Sequence, residues 1–240
     1  VTEILKTAPE LPRPVLFDQH WADLTFLHWP VDPAAIAGFF PAGVRPDVLD
    51  GVSYVGLIPF QMRGAGPGPS LPVPYFGTFA ETNVRLYSVD DAGRHGIVFR
   101  SLETQRLAIV GLTQSLLGLN YTWSWMNVSH YGDVISYRSR RRWPDRGLSS
   151  RVSVRIGEAM DADPLQTWLT ARWGLHTRIG GRTVWLPNAH GNWPLHCADV
   201  IEFSDELVAA AGVIPAGPML PAFYSPGVHT RFGRPVLLAT

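Results

Sequence analysis

Apolar and polar positions alternate with a period of two over short stretches, and 23 glycines and 21 prolines punctuate them. The pattern predicts strands over 23–29, 52–60, 80–89, 96–103, 121–128, 134–140, 151–156, 183–186 and 197–203, each rich in β-branched or aromatic residues. That set is large enough to close, or nearly close, a barrel. Helices are few. Asp32 with Pro33 supplies an N-cap and an N1 proline for a helix to 40, stopped by Pro41 and Gly43. Asp163 with Pro164 opens a second over 165–173, with Gly174 to end it, and Ser204 caps a third over 205–211 before Gly212. The stretch 104–117 is apolar on most sides, through Leu107, Ile109, Val110, Leu112, Leu116 and Leu117, and reads as a buried helix crossing or plugging the sheet. The fold class expected is mainly β with a few helices (α+β).

Its 240 residues, 46% hydrophobic and 17% charged, make one sizeable domain. The division expected is an extended leader at 1–17, a barrel domain at 18–212 and a Pro-rich segment at 213–240 packing on the same domain. Twenty basic and twenty acidic side chains cancel, so no field exists to draw in nucleic acid or an anionic membrane, and neither is an expected partner. No apolar run approaches the roughly 18 residues that span a bilayer, and the opening residues lack a secretory pattern. A single cysteine, Cys197, excludes an internal disulfide and reads as buried and inert. A cytoplasmic location follows as the expectation. Oligomeric state is not legible, and a homo-oligomer stays open.

Lys6 stands as the only lysine beside nineteen arginines, in an extended leader. Schiff-base chemistry needs a buried amine, and a chain end is a poor place for one. No Gly-x-Ser-x-Gly elbow, His-Glu-x-x-His or paired-cysteine motif occurs, and His190, His196 and Asp199 fit no common metal spacing. No flavin, nicotinamide or pyridoxal signature appears, so no cofactor and no metal is expected. The Gly/Pro-rich stretch 64–74 lacks a following helix and reads as a surface loop or lid. Arg140-Arg141-Arg142 reads as a solvated turn or a few surface ion pairs.

Most chemistry gathers in Glu81-Thr-Asn83-Val-Arg85-Leu-Tyr87. In a strand, Glu81, Asn83, Arg85 and Tyr87 share one face and Thr82, Val84 and Leu86 the other. A polar face on an alternating strand is usually the solvated side of a sheet. Turned into a barrel, the same face would force Glu81 and Arg85 to pair or to bind a ligand.

Five segments carry a resemblance: His28-Trp29-Pro30-Val31-Asp32-Pro33, Val55-Gly56-Leu57-Ile58-Pro59-Phe60-Gln61-Met62-Arg63, Glu81-Thr82-Asn83-Val84-Arg85, Ala171-Arg172-Trp173-Gly174-Leu175 and Trp193-Pro194-Leu195-His196. Together they resemble the YqjF-like family of the acetoacetate decarboxylase-like superfamily, from about residue 18 to about 203. The resemblance implies a curved, cone-like antiparallel β-barrel around a small-molecule cavity. The decarboxylases place two consecutive lysines before a Leu-Ala; here Thr104-Gln105-Arg106-Leu107-Ala108 puts Gln105 and Arg106 there. On this reading Glu81 is the general acid or base and Arg85 a clamp for a carboxylate or enolate. Asn83, Tyr87 and His28 orient the ligand, Trp29, Tyr121 and Trp125 wall the cavity, and Gln105 and Arg106 line it. The function implied is a small-molecule-binding protein, with lyase-like or hydrolase-like acid/base catalysis that uses no Schiff base as its enzymatic form. A noncatalytic binder or sensor is the alternative, and a filled barrel with no small-molecule role is a third.

Overall fold

The structure, a computed structural model, describes residues 4–68, 77–106 and 121–238. The chain runs through β1 (Phe17–Val31), α1 (Pro33–Ile36) with a 3-10 turn at Ala37–Phe39, β2 (Val44–Pro46), β3 (Ser53–Pro67), β4 (Phe79–Asp90) and β5 (His95–Thr104). It continues as β6 (Tyr121–Tyr131), β7 (Val134–Trp143), β8 (Ser149–Met160), α2 (Pro164–Thr170), β9 (Gly174–Ile179) and β10 (Arg182–His190). β11 (Leu195–Asp205), α3 (Leu207–Ala210), β12 (Phe223–Phe232) and β13 (Val236–Leu237) follow.

These strands form one sheet that forks twice. β5 pairs with β4 along one edge; its other edge meets β9 at Ile97 and β6 at Leu102–Thr104, both in parallel. β12 pairs with β1 along one edge; its other edge meets β11 at Phe223 and Tyr224 and β10 at Asn188–His190. Two closed circuits result. One runs β10-β9-β5-β4-β3-β1-β12, the other β5-β6-β7-β8-β11-β12-β1-β3-β4, and the run from β12 to β5 is common to both. The remaining pairings between strands are antiparallel.

Each circuit encloses its own core. Phe26, Ile58, Phe60, Tyr87, Leu102, Leu175, Leu186 and Phe223 fill the first. Leu27, Val55, Leu57, Val84, Leu86, Ile135, Val152 and Val154 fill the second. The common wall is therefore covered on both sides, and every residue of β4 is buried. This overturns the solvated-face reading of the Glu81 to Tyr87 ladder: a strand between two cores has no wet side.

Several local expectations change. Asp163 accepts from Gln166 N at 2.7 Å and Gln166 Oε1 accepts from Asp163 N at 2.9 Å, a reciprocal cap, but α2 ends at Thr170 rather than 173. Ser204 is not a cap, because β11 runs on to Asp205, whose carboxylate accepts from Val208 N at 3.0 Å. Gly64 and Gly66 lie inside β3, not in a loop; residues 69–76 of that stretch lie outside the described residues, as does 107–120 of the helix expected over 104–117. The Pro-rich C-terminal segment supplies β12, a central strand, where Gly227 at φ +126° lets the backbone of Trp21 approach: a Cβ there would stand 2.0 Å from Trp21 O. Arg140 to Arg142 lie in β7, with Arg141 turned inward onto buried Glu103. Cys197 is exposed, its thiol facing Met160 Sδ at 3.7 Å. The leader is tied down where Trp173 Nε1 donates to Leu5 O at 2.7 Å.

Candidate functional site

The site is built on the first-circuit face of β4. Register fixes what surrounds it: Glu81 opposes Phe60 and Thr104, Asn83 opposes Ile58 and Leu102, and Arg85 opposes Gly56. On β1, His28 opposes Gly56 while Trp29 opposes Val55. Directly opposed residues share a face, so His28 joins Arg85 inside the first circuit and Trp29 turns into the second, where it meets Phe203 at 5.6 Å. Neighbours on a strand alternate, which rules out His28 and Trp29 as joint lining residues. A bulge at Asp23, φ +54°, shifts the alternation so that Trp21 also faces inward.

At one end of this face, Arg85, Tyr87, His28 and Arg172 meet. Arg85 donates to Tyr87 Oη from Nε at 3.3 Å and Nη2 at 3.1 Å, and to Leu169 O at 3.3 Å. His28 Nε2 lies 2.6 Å from the same hydroxyl. Two guanidinium hydrogens occupy the phenol's lone pairs, so its proton goes to His28 Nε2, which is then the bare nitrogen of a neutral ring. Burial, with Arg85 and Arg172 nearby, holds the His28 pKa well below its ordinary value, in keeping with that assignment. Gly56 makes the room: a Cβ on it would stand 3.1 Å from His28 Nε2 and 3.4 Å from Arg85 Cγ.

Arg172 comes from just beyond α2. Its guanidinium covers Trp168 at 3.9 Å and Tyr87 at 4.8 Å, pairs with Asp47, and donates from Nε to Trp168 O at 2.8 Å. Asp47 is shared with His95 Nδ1 at 2.7 Å. Arg85, in contrast, forms no ion pair among the described residues. Its guanidinium rests on Phe26 at 5.6 Å.

Glu81 occupies the other end of the face. Tyr121 Oη donates to its Oε2 at 3.0 Å, and burial raises the carboxyl pKa to about 8. At neutral pH Glu81 is thus an uncharged acid with a proton to give. Four steps along the strand separate it from Arg85, about 13 Å between Cα atoms, and the guanidinium leans toward Tyr87, away from Glu81. Thr104 closes β5 opposite Glu81, and Gln105 and Arg106 follow it directly; Arg106 Nη2 donates to Thr78 O at 3.4 Å. Asn83 lies between the two ends with its Oδ1 buried and without a partner among the described residues.

Of the residues singled out in the sequence, the structure brings together His28, Arg85 and Tyr87 at one end and Glu81 and Tyr121 at the other. Trp29 faces the second core, and Trp125 is 48% exposed on the outside of β6. Neither touches the ladder. Arg172, Asp47 and Gly56 take part in the site without having been given a role from the sequence. An arginine in the apolar run Trp168-Leu-Thr-Ala-Arg-Trp-Gly-Leu175 was the available signal for the first of them. A different chain of polar groups, Ser88 Oγ to His176 Nδ1 at 2.9 Å and His176 Nε2 to Asp90 at 3.2 Å, has the composition of a hydrolytic triad. All three residues are at most 1% exposed and Asp90 is also held by Arg94, so it is a structural buttress without access to a substrate. A groove of about 400 Å³ is lined by Lys6, Met160, Trp173, Trp193 and His196 among others.

Comparison with known structures returns the same architecture. Acetoacetate decarboxylase from Legionella pneumophila superposes with a TM-score of 0.67 at 10% identity, covering 97% of this chain and 92% of that one. The enduracididine biosynthesis enzyme MppR complexed with pyruvate gives 0.64 at 15% identity over 96% and 92%. An acetoacetate decarboxylase-like enzyme from Sphingomonas wittichii RW1 gives 0.63 at 15% over 95% and 94%. In sequence, the uncharacterized protein YqjF of Bacillus subtilis (strain 168) is 30% identical over 185 residues, 75% of either chain. The family model described as an uncharacterized conserved protein, DUF2071, matches residues 18–229. With its two-circuit sheet and this match along most of its length, the chain belongs to the DUF2071, YqjF-like family.

Proposed function

We propose that the first circuit binds a small organic anion, with Arg85 holding the negative group and Glu81 exchanging a proton with the ligand's far part. One observation carries this reading. Arg85 is a buried guanidinium with no carboxylate to neutralise it among the described residues, and a buried cation in that position is stabilised by an anionic ligand, for which the two Nη1 hydrogens are not used by Tyr87 or Leu169. Arg172 adds a second positive charge against the single acid Asp47, and Glu81 is neutral, so the interior carries an excess positive charge.

The separation of Glu81 from Arg85 sets the ligand's size. A compact 3-oxo acid held by Arg85 does not reach Glu81 across about 13 Å of strand, so a substrate that uses both is an extended molecule. Glu81, protonated at neutral pH and hydrogen-bonded to Tyr121, acts first as a general acid, and its carboxylate then takes a proton back. Tyr87, fixed by His28 and Arg85, holds the guanidinium in place. The amine chemistry of decarboxylases has no counterpart in this scheme, which gives no role to Lys6, a residue of the groove that Trp193 also borders. That MppR is described in complex with pyruvate supports a carboxylate-bearing ligand for the fold.

The test is thermal unfolding and turnover with a panel of 3-oxo acids, hydroxy acids and aromatic carboxylates, on the wild type, Glu81→Gln and Arg85→Ala. A ligand at about 100 times its Kd stabilises by about 2.7 kcal/mol. The reading expects a shift that Arg85→Ala abolishes, with Glu81→Gln keeping the shift and losing turnover. A shift indifferent to Arg85 refutes it, and unchanged mass of every bound compound leaves the protein a binder.

A further inference from the structure

The wall opposite β4 carries a second set of polar groups. Trp21 Nε1, Trp193 Nε1, Asn188 Oδ1 and Thr230 Oγ1 are each buried without a hydrogen-bond partner among the described residues. Register places them together. Asn188 opposes Phe232 and His190 opposes Thr230, while Trp21 opposes Val228 on the other edge of β12, so all project into the first circuit with Phe232. Trp193 joins them by ring contacts with Trp21 at 6.0 Å, His190 at 5.0 Å and Phe26 at 5.3 Å. Phe26 is the ring on which Arg85 rests, and Trp21 meets Phe60, the residue opposing Glu81, at 6.3 Å. The set therefore stands beside the Glu81 end of the interior, one aromatic layer from Arg85.

Buried polar atoms are rarely left unpaired, and a group of them on one wall describes a complementary partner. The two indole N–H groups only donate, Asn188 Oδ1 only accepts, and the Thr230 hydroxyl does either. His190, on the same wall, is used by Gly191 O at 2.7 Å, and burial holds it neutral down to about pH 4. The aromatic rings around the set suit a flat body.

We propose that this wall is a recognition subsite for the uncharged end of the ligand, a planar group presenting both a hydrogen-bond acceptor and a donor, such as a carboxamide on an aromatic or conjugated frame. The inference rests on the anion reading for Arg85 and names the ligand class as an extended aryl carboxylate with an amide-like far end. Trp21 and Trp193 donate to the acceptor, and Asn188 Oδ1 takes the donor's hydrogen.

The experiment is isothermal titration at pH 7 of trans-cinnamate and 4-carbamoylcinnamate against the wild type, Trp193→Phe, Asn188→Leu and Arg85→Gln. Trp193→Phe keeps an aromatic ring and removes the indole's pyrrole portion with its N–H. Each neutral hydrogen bond is worth roughly fivefold in affinity, so the carbamoyl compound is expected to bind the wild type about tenfold or more tightly than cinnamate. Trp193→Phe and Asn188→Leu, checked for native unfolding temperature, should shrink that ratio while leaving cinnamate within twofold. A wild-type ratio near one, or a ratio indifferent to both substitutions, overturns the subsite and leaves the Arg85 reading standing. Cinnamate binding that survives Arg85→Gln instead sinks the anion reading. Failure of both compounds to bind folded wild type overturns the subsite, and the oxo-acid panel then judges Arg85 separately.

Discussion

Replacing Glu81 by glutamine tests the electrostatics of the site without any ligand. The folded carboxyl titrates near 8, against an ordinary value of 4.5. Below 4.5 both folded and unfolded chains carry the proton and stability is at its full value. As pH rises, the unfolded chain releases the proton first, so this group's contribution to stability is lost progressively until the folded form also ionises near 8. The slope is about 1.4 kcal/mol per pH unit, which accumulates to about 3 kcal/mol at pH 7 and about 5 kcal/mol above pH 8. Glutamine has no proton to lose, and its Oε1 still accepts from Tyr121. The difference in urea unfolding free energy, Glu81→Gln minus wild type, should therefore rise by several kcal/mol between pH 4.5 and 8.5. Subtraction removes the shared contributions of His28 and His190. Parallel curves across that window would show that folded Glu81 ionises normally, and the general-acid assignment would fall with it.

Gly56→Ala should destabilise by about 1–3 kcal/mol and weaken anion binding together with it, since the added methyl presses on His28 and Arg85; thermal unfolding with and without ligand reads both effects. Asp47→Ala strands Arg172 and should cost about 3–5 kcal/mol, whereas a value under 1 kcal/mol in urea unfolding would refute the buried-pair account. Tyr87→Phe leaves Arg85 and His28 without their shared partner, with an expected loss of about 1–3 kcal/mol measured the same way. Gly227→Ala has no space against the Trp21 backbone and should prevent β1 and β12 from pairing, detected as loss of cooperative thermal unfolding.

How much of this was legible in the sequence depended on whether the cause was local. The alternation in Glu81 to Tyr87 defines which side chains share a face, because strand geometry alone fixes it. Which face is wet does not follow from alternation, because the forks at β5 and β12 bring a second core against β4 from β7 and β8, about 50 to 70 residues further along the chain. Trp29 sits beside His28 in the sequence and opposite to it in space. Arg172 reaches Tyr87 across a long loop of chain, and no spacing rule connects them. β12 was hidden by Pro226, which argues against a central strand; the proline is exposed beside Gly227, where the ladder with β1 is locally disturbed. Gly56 was visible only as part of a family motif, and its purpose, clearance for an imidazole, appears once β1, β3 and β4 are side by side.

The common wall also bears on time. Amide hydrogens in a strand packed on both sides exchange only when the surrounding structure opens as a whole, so the backbone beneath Arg85 and Glu81 should be among the slowest to exchange in this protein. A ligand cannot gain the interior by parting those strands, nor can the site be retuned by lengthening a loop, as happens where function sits on the rim of a scaffold. Any change of preference has to be written into side chains that simultaneously hold two cores in register.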